Sequence, residues 1–251
     1  MPDADPGLLI LGGTTEGYAL AAALAGQAGL RVISSLAGRT ANPRLPAGES
    51  RIGGFGGPEG LAAWLREAKI TAVVDATHPF ANRMGWNAAA ACAATGTRLL
   101  RLERPAWQPG PGDNWLQVAD WEEAAALVGR IAWHVLLALG RQEIAAFAAL
   151  DHVRFLIRTV DRPDPMPRFV RAELLLARGP FQEDEEYALM RSRGIDTVVC
   201  KNSGGTATDG KLAAARRLGI PVVMRQRPPR PETLRATTVA EAVAWVKDVT
   251  A

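Results

Sequence analysis

The chain has 251 residues, 48% of them hydrophobic and 22% charged, with a net charge of +3. That balance describes an ordinary globular protein with ample material for a core, and room for one large or two small α/β domains. Cys92 and Cys200 stand far apart and in no C-x-x-C pair, which argues against a zinc site or a disulfide framework.

MPDADPG carries no basic stretch and LLIL is too short for a span, so neither a signal peptide nor a membrane segment is expected, and a cytoplasmic location is. Only four of the 29 basic residues are lysines and they form no block, so no nucleic-acid partner is indicated.

Leu8 to Leu11 form a wholly apolar run, the pattern of a strand buried on both faces of a parallel sheet. Gly12, Gly13, Thr14, Thr15, Glu16 and Gly17 follow, then an Ala/Leu-rich helix over Tyr18 to Ala28. A strand, a glycine turn and a helix N-terminus make a pyrophosphate site, because small residues admit the ligand and free N–H groups favour its charge. The match to G-x-G-x-x-G is partial: Gly12 and Gly17 take the outer positions, Thr14 takes the middle one. A tight turn without a ligand is the other reading.

Arg31 to Ser35 reads as the second strand. A site for NAD places an acid at its end, to hold the ribose hydroxyls. Here Ser34, Ser35, Leu36, Ala37, Gly38 and Arg39 occur instead. Two hydroxyls and an arginine suit a 2′-phosphate, so NADPH is expected over NADH, with Arg39 as its ligand. The missing acid also speaks against S-adenosylmethionine.

Glu49 to Ile52 is a short strand, followed by four glycines within Gly53–Gly57 and a helix opened by Pro58. Thr71 to Asp75 is a further strand. Thr77 and His78 then fall at its carboxyl end, where doubly wound sheets bind ligands, and Pro79 holds His78 extended. A helix over Asn82 to Thr95 and a strand over Arg98 to Leu102 follow.

Pro109–Asp113 is the clearest break. A strand at Leu116 to Val118 and a helix capped by Asp120 and Glu123 come next. From His134 a second βα series begins, with Gly140-Arg141-Gln142-Glu143 opening an alanine-rich helix. Strands are expected at Val153 to Arg158, Glu173 to Ala177, Thr197 to Cys200 and Pro221 to Met224. Helices are expected at Lys211 to Leu218 and after Thr238. The organisation predicted is α/β: a first domain over 1–130 and a second over 131–251.

Several segments together resemble one family. They are LGGTTEG (Leu11 to Gly17), DATHPFA (Asp75 to Ala81), RLERPAW (Arg101 to Trp107), LALGR (Leu137 to Arg141), RGPF (Arg178 to Phe181), CKNSGG (Cys200 to Gly205) and RRLGIPVVMRQRP (Arg216 to Pro228). In this order they resemble the precorrin-6A reductase family of cobalamin (corrin) biosynthesis. Tyr18 departs from it, standing where an arginine is expected.

The resemblance implies two Rossmann-like domains with parallel sheets and a cleft between them. It implies reduction of the C18–C19 double bond of precorrin-6A by NADPH, giving precorrin-6B. Gly12, Gly13, Thr14, Thr15, Glu16, Ser35, Gly38, Arg39 and Thr77 would then hold the cofactor in the first domain. His78, Asp75 and Lys201 are the candidates for catalysis. Lys201, Asn202, Ser203, Gly204, Gly205, Arg141 and Arg227 would meet the carboxylate arms of the tetrapyrrole, since lysine, arginine and backbone N–H groups suit carboxylates.

No metal is required, because hydride transfer draws its reactive atom from the cofactor. A monomer or weak dimer is expected. Neither a Tyr-x-x-x-Lys pair nor G-x-S-x-G occurs. The competing readings are a non-catalytic nucleotide or tetrapyrrole binder, and a reductase of the cobalt-loaded ring.

Overall fold

The computed structural model describes residues 5–38 and 44–250. Arg39, expected at the 2′-phosphate, lies outside them. The chain divides into two compact units, Met1–Pro105 with Pro228–Ala251, and Ala106–Arg227. Both are six-stranded parallel sheets flanked by helices; no helix is long and apolar enough to cross a membrane.

Unit 1 holds β1 (Gly7–Leu11), β2 (Arg31–Leu36), β3 (Glu49–Ile52), β4 (Ile70–Asp75) and β5 (Arg98–Leu102). Its helices are α1 (Thr15–Leu24), α2 (Pro58–Glu67) and α3 (Asn82–Thr95). β1 is buried along its whole length, as the unbroken apolar run requires of a central parallel strand. Alternate side chains feed two cores: Leu8 and Ile10 pack on the α1 side, Leu9 and Leu11 on the side of α2 and α3.

Unit 2 comprises β6 (Trp115–Val118), α4 (Trp121–Ile131), β7 (His134–Ala138), a single 3₁₀ turn at Ile144–Phe147, β8 (Arg154–Thr159) and β9 (Ala172–Leu176). It continues with α5 (Glu183–Arg193), β10 (Thr197–Lys201), α6 (Gly210–Leu218) and β11 (Val222–Arg225). The chain then returns to unit 1 as β12 (Leu234–Ala236) and α7 (Val239–Thr250).

The strand orders are β12-β5-β4-β1-β2-β3 and β6-β11-β10-β7-β8-β9. In each, order reverses beside the first strand of the βα series, between β1 and β4 and between β7 and β10. Such switch points are where open parallel sheets take ligands.

The boundary expected at 130 is displaced, because it falls inside α4. β6 pairs with β11, Trp115 opposite Val222, so residues 106–130 belong to unit 2. β12 pairs with β5, Leu234 opposite Leu100, which carries the last segment back to unit 1. The helix expected after Gly140 is only one turn: Ile144 and Phe147, three apart, are fully buried, and β8 starts soon after. Helix α5 has no counterpart in the sequence reading. Its acidic first turn and basic last turn suit the helix dipole, but only Glu186 and Met190 are buried, too few for a visible apolar stripe.

Candidate functional site

At the switch point of unit 1, Gly12 N–H donates to the Ser35 carbonyl at 2.9 Å, extending the β1–β2 ladder past Leu11. Thr14 caps α1: its Oγ1 accepts from Gly17 N–H at 3.1 Å and donates to the Ala76 carbonyl at 2.7 Å. The Thr14 hydroxyl is therefore committed within the protein, and only its backbone N–H can face a ligand. Thr15 and Glu16 open the helix, so their N–H groups have no intrahelical acceptor.

Gly13 has φ +108°, and a Cβ there would meet nothing within 4 Å, so the space over the turn is open. Gly17 is the opposite case. A Cβ on it would come within 3.3 Å of Gly12 Cα and 3.4 Å of Ala76 Cβ, so the glycine lets α1 close down on the strands. An open glycine turn at a capped helix N-terminus fits a pyrophosphate.

The Glu16 carboxylate accepts from Arg104 at 2.8 Å, an arginine of the RLERPAW segment. Tyr18, where a basic residue was expected, donates its hydroxyl to the Arg44 carbonyl at 2.7 Å.

At the end of β2, Ser34 is 1% exposed and points away from Ser35, as alternation along a strand demands. Ser35 Oγ accepts from Arg51 at 2.8 Å. Arg51 stands directly opposite Ser35 in the β2–β3 register. It also donates to the Gly53 and Gly54 carbonyls at 3.2 and 3.0 Å and lies 3.8 Å above the Phe55 ring. The sequence reading missed this arginine, because a basic residue on a short exposed strand carries no signal until the sheet places it beside β2. Gly38 has φ +68° and follows Ser35 in the next turn.

The loop after β4 is built around Asp75, which is 2% exposed. One of its carboxylate oxygens, Oδ1, accepts from Thr77 N–H and Thr77 Oγ1, at 3.1 and 2.6 Å. The other, Oδ2, pairs with the Arg230 guanidinium. Arg230 reaches on to the His78 carbonyl at 3.4 Å and to Glu103 at 3.5 Å. Any side chain at Gly85 would run into that guanidinium.

The Asp75 carboxylate is thus engaged by its own loop and by Arg230. His78 Nδ1 accepts from Phe80 N–H at 3.2 Å. That bond assigns the proton of the neutral ring to Nε2, making Nε2 the donor of this loop.

In unit 2, Lys201 ends β10 and pairs with Glu143 at 2.9 Å. Glu143 comes from the turn after β7, and a side chain at Gly140 would collide with its carboxylate. Asn202, expected to bind substrate, is 4% exposed, and its amide is consumed by the backbone of Trp107. Oδ1 accepts from Trp107 N–H at 2.8 Å and Nδ2 donates to Trp107 O at 3.1 Å.

Arg227 donates to the Asn202 and Ser203 carbonyls at 3.0 and 3.1 Å, and Trp107 Nε1 donates to Gly205 O at 2.8 Å. Asn202 and Arg227 therefore hold the loop in shape, with Ser203 and Gly205 half-buried, Gly204 buried, and φ +70° and +77° at the glycines. Arg141 is exposed on the turn after β7.

Lys211 is the other residue the sequence concealed. It looks like a solvated first-turn lysine, yet it is 4% exposed, donates to the Thr208 carbonyl and lies 4.6 Å from the Trp107 ring centre. Burial lowers its pKa. A cavity of about 360 Å³, which Lys211 does not line, opens between Trp107, Trp115, Phe181 and Thr206.

With this geometry in hand, relatives give the chemistry a setting. Residues 7–247 match the family described as precorrin-6x reductase CbiJ/CobK. A precorrin-6A reductase of Rhodococcus erythropolis is 52% identical, covering 97% of this chain and 98% of that protein. One from Mycobacterium tuberculosis is 49% identical, over 95% and 96%. A cobalt-precorrin-6A reductase of Priestia megaterium is 30% identical, over 88% and 90%. Among solved structures, CobK precorrin-6A reductase superposes with a TM-score of 0.91 at 41% identity, covering 97% of each chain.

Proposed function

We infer the function from one premise: this chain belongs to the precorrin-6x reductase family CbiJ/CobK. It is a reductase of cobalamin biosynthesis, and its substrate is precorrin-6A. Relatives named for that ring are 43–52% identical to it, whereas one named for the cobalt-loaded ring is 30% identical. The reaction we assign is reduction of the C18–C19 double bond, giving precorrin-6B.

NADPH is the reductant assigned. The observation that carries this is the switch point of unit 1, where an open glycine turn meets a capped helix, and the end of β2 offers a hydroxyl, with an arginine beside it on β3, in place of an acid. When bound, NADPH supplies the hydride. The N–H groups of Gly13 to Glu16 would hold the pyrophosphate. In a sheet of this order the ends of β1–β3 would hold the adenosine half and the ends of β4 and β5 the nicotinamide half, which would put the His78 loop on the reacting side.

His78 Nε2–H is the group proposed to hold or deliver the proton that accompanies reduction, and Asp75, Thr77 and Arg230 fix the loop that aims it. Substrate carboxylates are assigned to unit 2, to Lys201, Ser203 and the glycine turn Gly204–Gly205. Binding energy far from the reacting carbons then aligns them with the donor.

The test is consumption of NADPH by the purified protein with precorrin-6A, read by absorbance and by the mass of the product. Stoichiometric oxidation with a product richer by one hydride and one proton is expected. Tight binding of both ligands without oxidation would instead make the protein a non-catalytic binder.

A further inference from the structure

We propose that Arg51 is the residue that reads the 2′-phosphate of NADPH, and so sets the preference for NADPH over NADH. The proposal rests on the assignment of a dinucleotide to unit 1 and names the residue that discriminates there.

Three observations carry it. First, position: the adenosine ribose of a dinucleotide in this fold is held at the end of the second strand, and Arg51 enters that place from β3, opposite Ser35. Second, orientation: a guanidinium has five N–H donors, and Arg51 uses three of them, on Ser35 Oγ, Gly53 O and Gly54 O. The Phe55 ring below it, with Trp64 at 5.5 Å, holds the plane still. The remaining donors form the planar fork that suits a phosphate.

Third, charge: among the described residues, Arg51 has no carboxylate partner. Two other arginines at this end of the sheet do, Arg104 with Glu16 and Arg230 with Asp75 and Glu103. A half-buried cation that keeps its charge for a ligand is what selection of a phosphate monoester over a hydroxyl requires. The same cation would gain nothing from the bare 2′-hydroxyl of NADH.

The experiment measures dissociation constants by calorimetry for NADPH, NADH and adenosine 2′,5′-bisphosphate, on the wild type and on Arg51→Gln, with no turnover involved. The expected result is a 10- to 100-fold loss for NADPH and the bisphosphate, the range of a lost charged hydrogen bond, with NADH changed by less than threefold. Equal losses for NADPH and NADH would overturn the proposal, making Arg51 a prop for the Gly53–Gly57 loop. No loss for NADPH would overturn it as well, while leaving the assignment of NADPH intact.

Wild-type protein that binds neither dinucleotide would bring down the cofactor assignment itself, and this inference with it. If Arg51→Gln does not fold, Arg51→Lys serves. It keeps the charge but loses the fork, and should weaken NADPH severalfold while sparing NADH; unchanged NADPH affinity in that variant overturns the proposal.

Discussion

The two units solve one folding problem twice and end with different sites. Each sheet reverses its strand order at the same place, and each sends its first strand into a glycine-containing turn. In unit 1 that turn runs into the ten-residue α1, capped by Thr14, so free N–H groups and a helix dipole converge there. In unit 2 it runs into a four-residue 3₁₀ turn and places the Glu143 carboxylate against Lys201. A single turn has little dipole, so this turn lacks the helix N-terminus that unit 1 presents. Shared topology thus presents two unlike turns, because the loops vary while the sheet that carries them does not.

That contrast can be broken most directly at His78, on the unit 1 side. His78→Ala should lower kcat by about 10²–10⁴-fold, the range for general acid help, with the dissociation constant for NADPH unchanged. A kcat within about threefold of wild type would reduce His78 to a loop prop and move the proton source elsewhere.

Next in size is the buried ion pair beneath it. Arg230→Met leaves Asp75 charged, buried and unpaired, which should cost about 3–5 kcal/mol of stability. Urea unfolding together with hydrogen exchange checks it, and the loss should concentrate in β4, α3 and α7. Even loss of protection across both units would show that the pair does more than organise unit 1.

On the unit 2 side, Lys201→Ala should reduce kcat/KM for the tetrapyrrole by about 10- to 100-fold and leave NADPH binding untouched. The Glu143 contact makes Glu143→Gln a useful companion. If Lys201 meets substrate, the glutamine variant keeps most of the affinity; if the two variants behave alike, the pair only closes the loop.

The smallest effect is expected at the cap. Thr14→Ala removes the contacts to Gly17 and Ala76 and should destabilise unit 1 by about 1 kcal/mol, while weakening NADPH more than precorrin-6A. Equal weakening of both would blur the division between the two switch points.

Much of this is legible before folding. The apolar run Leu8–Leu11 followed by glycines announces a central parallel strand with a ligand-binding turn, and Asp75–His78 and Lys201–Gly205 are legible as strand ends because each closes a short apolar run. What those residues do there is less legible. Asn202 reads as a ligand group in sequence and is a brace for Trp107 in space, since nothing local ties positions 95 apart. The one-turn helix after Gly140 is overread for a related reason: alanines favour a helix, but two buried side chains and a nearby strand cut it short.

The sequence by itself determined the class of fold, the glycine turn and the positions of the strand-end motifs, because burial and turn formation depend on neighbours a few residues apart. The tertiary structure alone decided which strands share a sheet, that 228–251 completes unit 1, and that Arg51 faces Ser35, Glu143 faces Lys201 and Arg230 faces Asp75. Those pairings join residues 16, 58 and 155 positions apart. Periodicity records which side of an element is buried, but not which distant element will cover it; that is settled only when the sheet order brings the charges together.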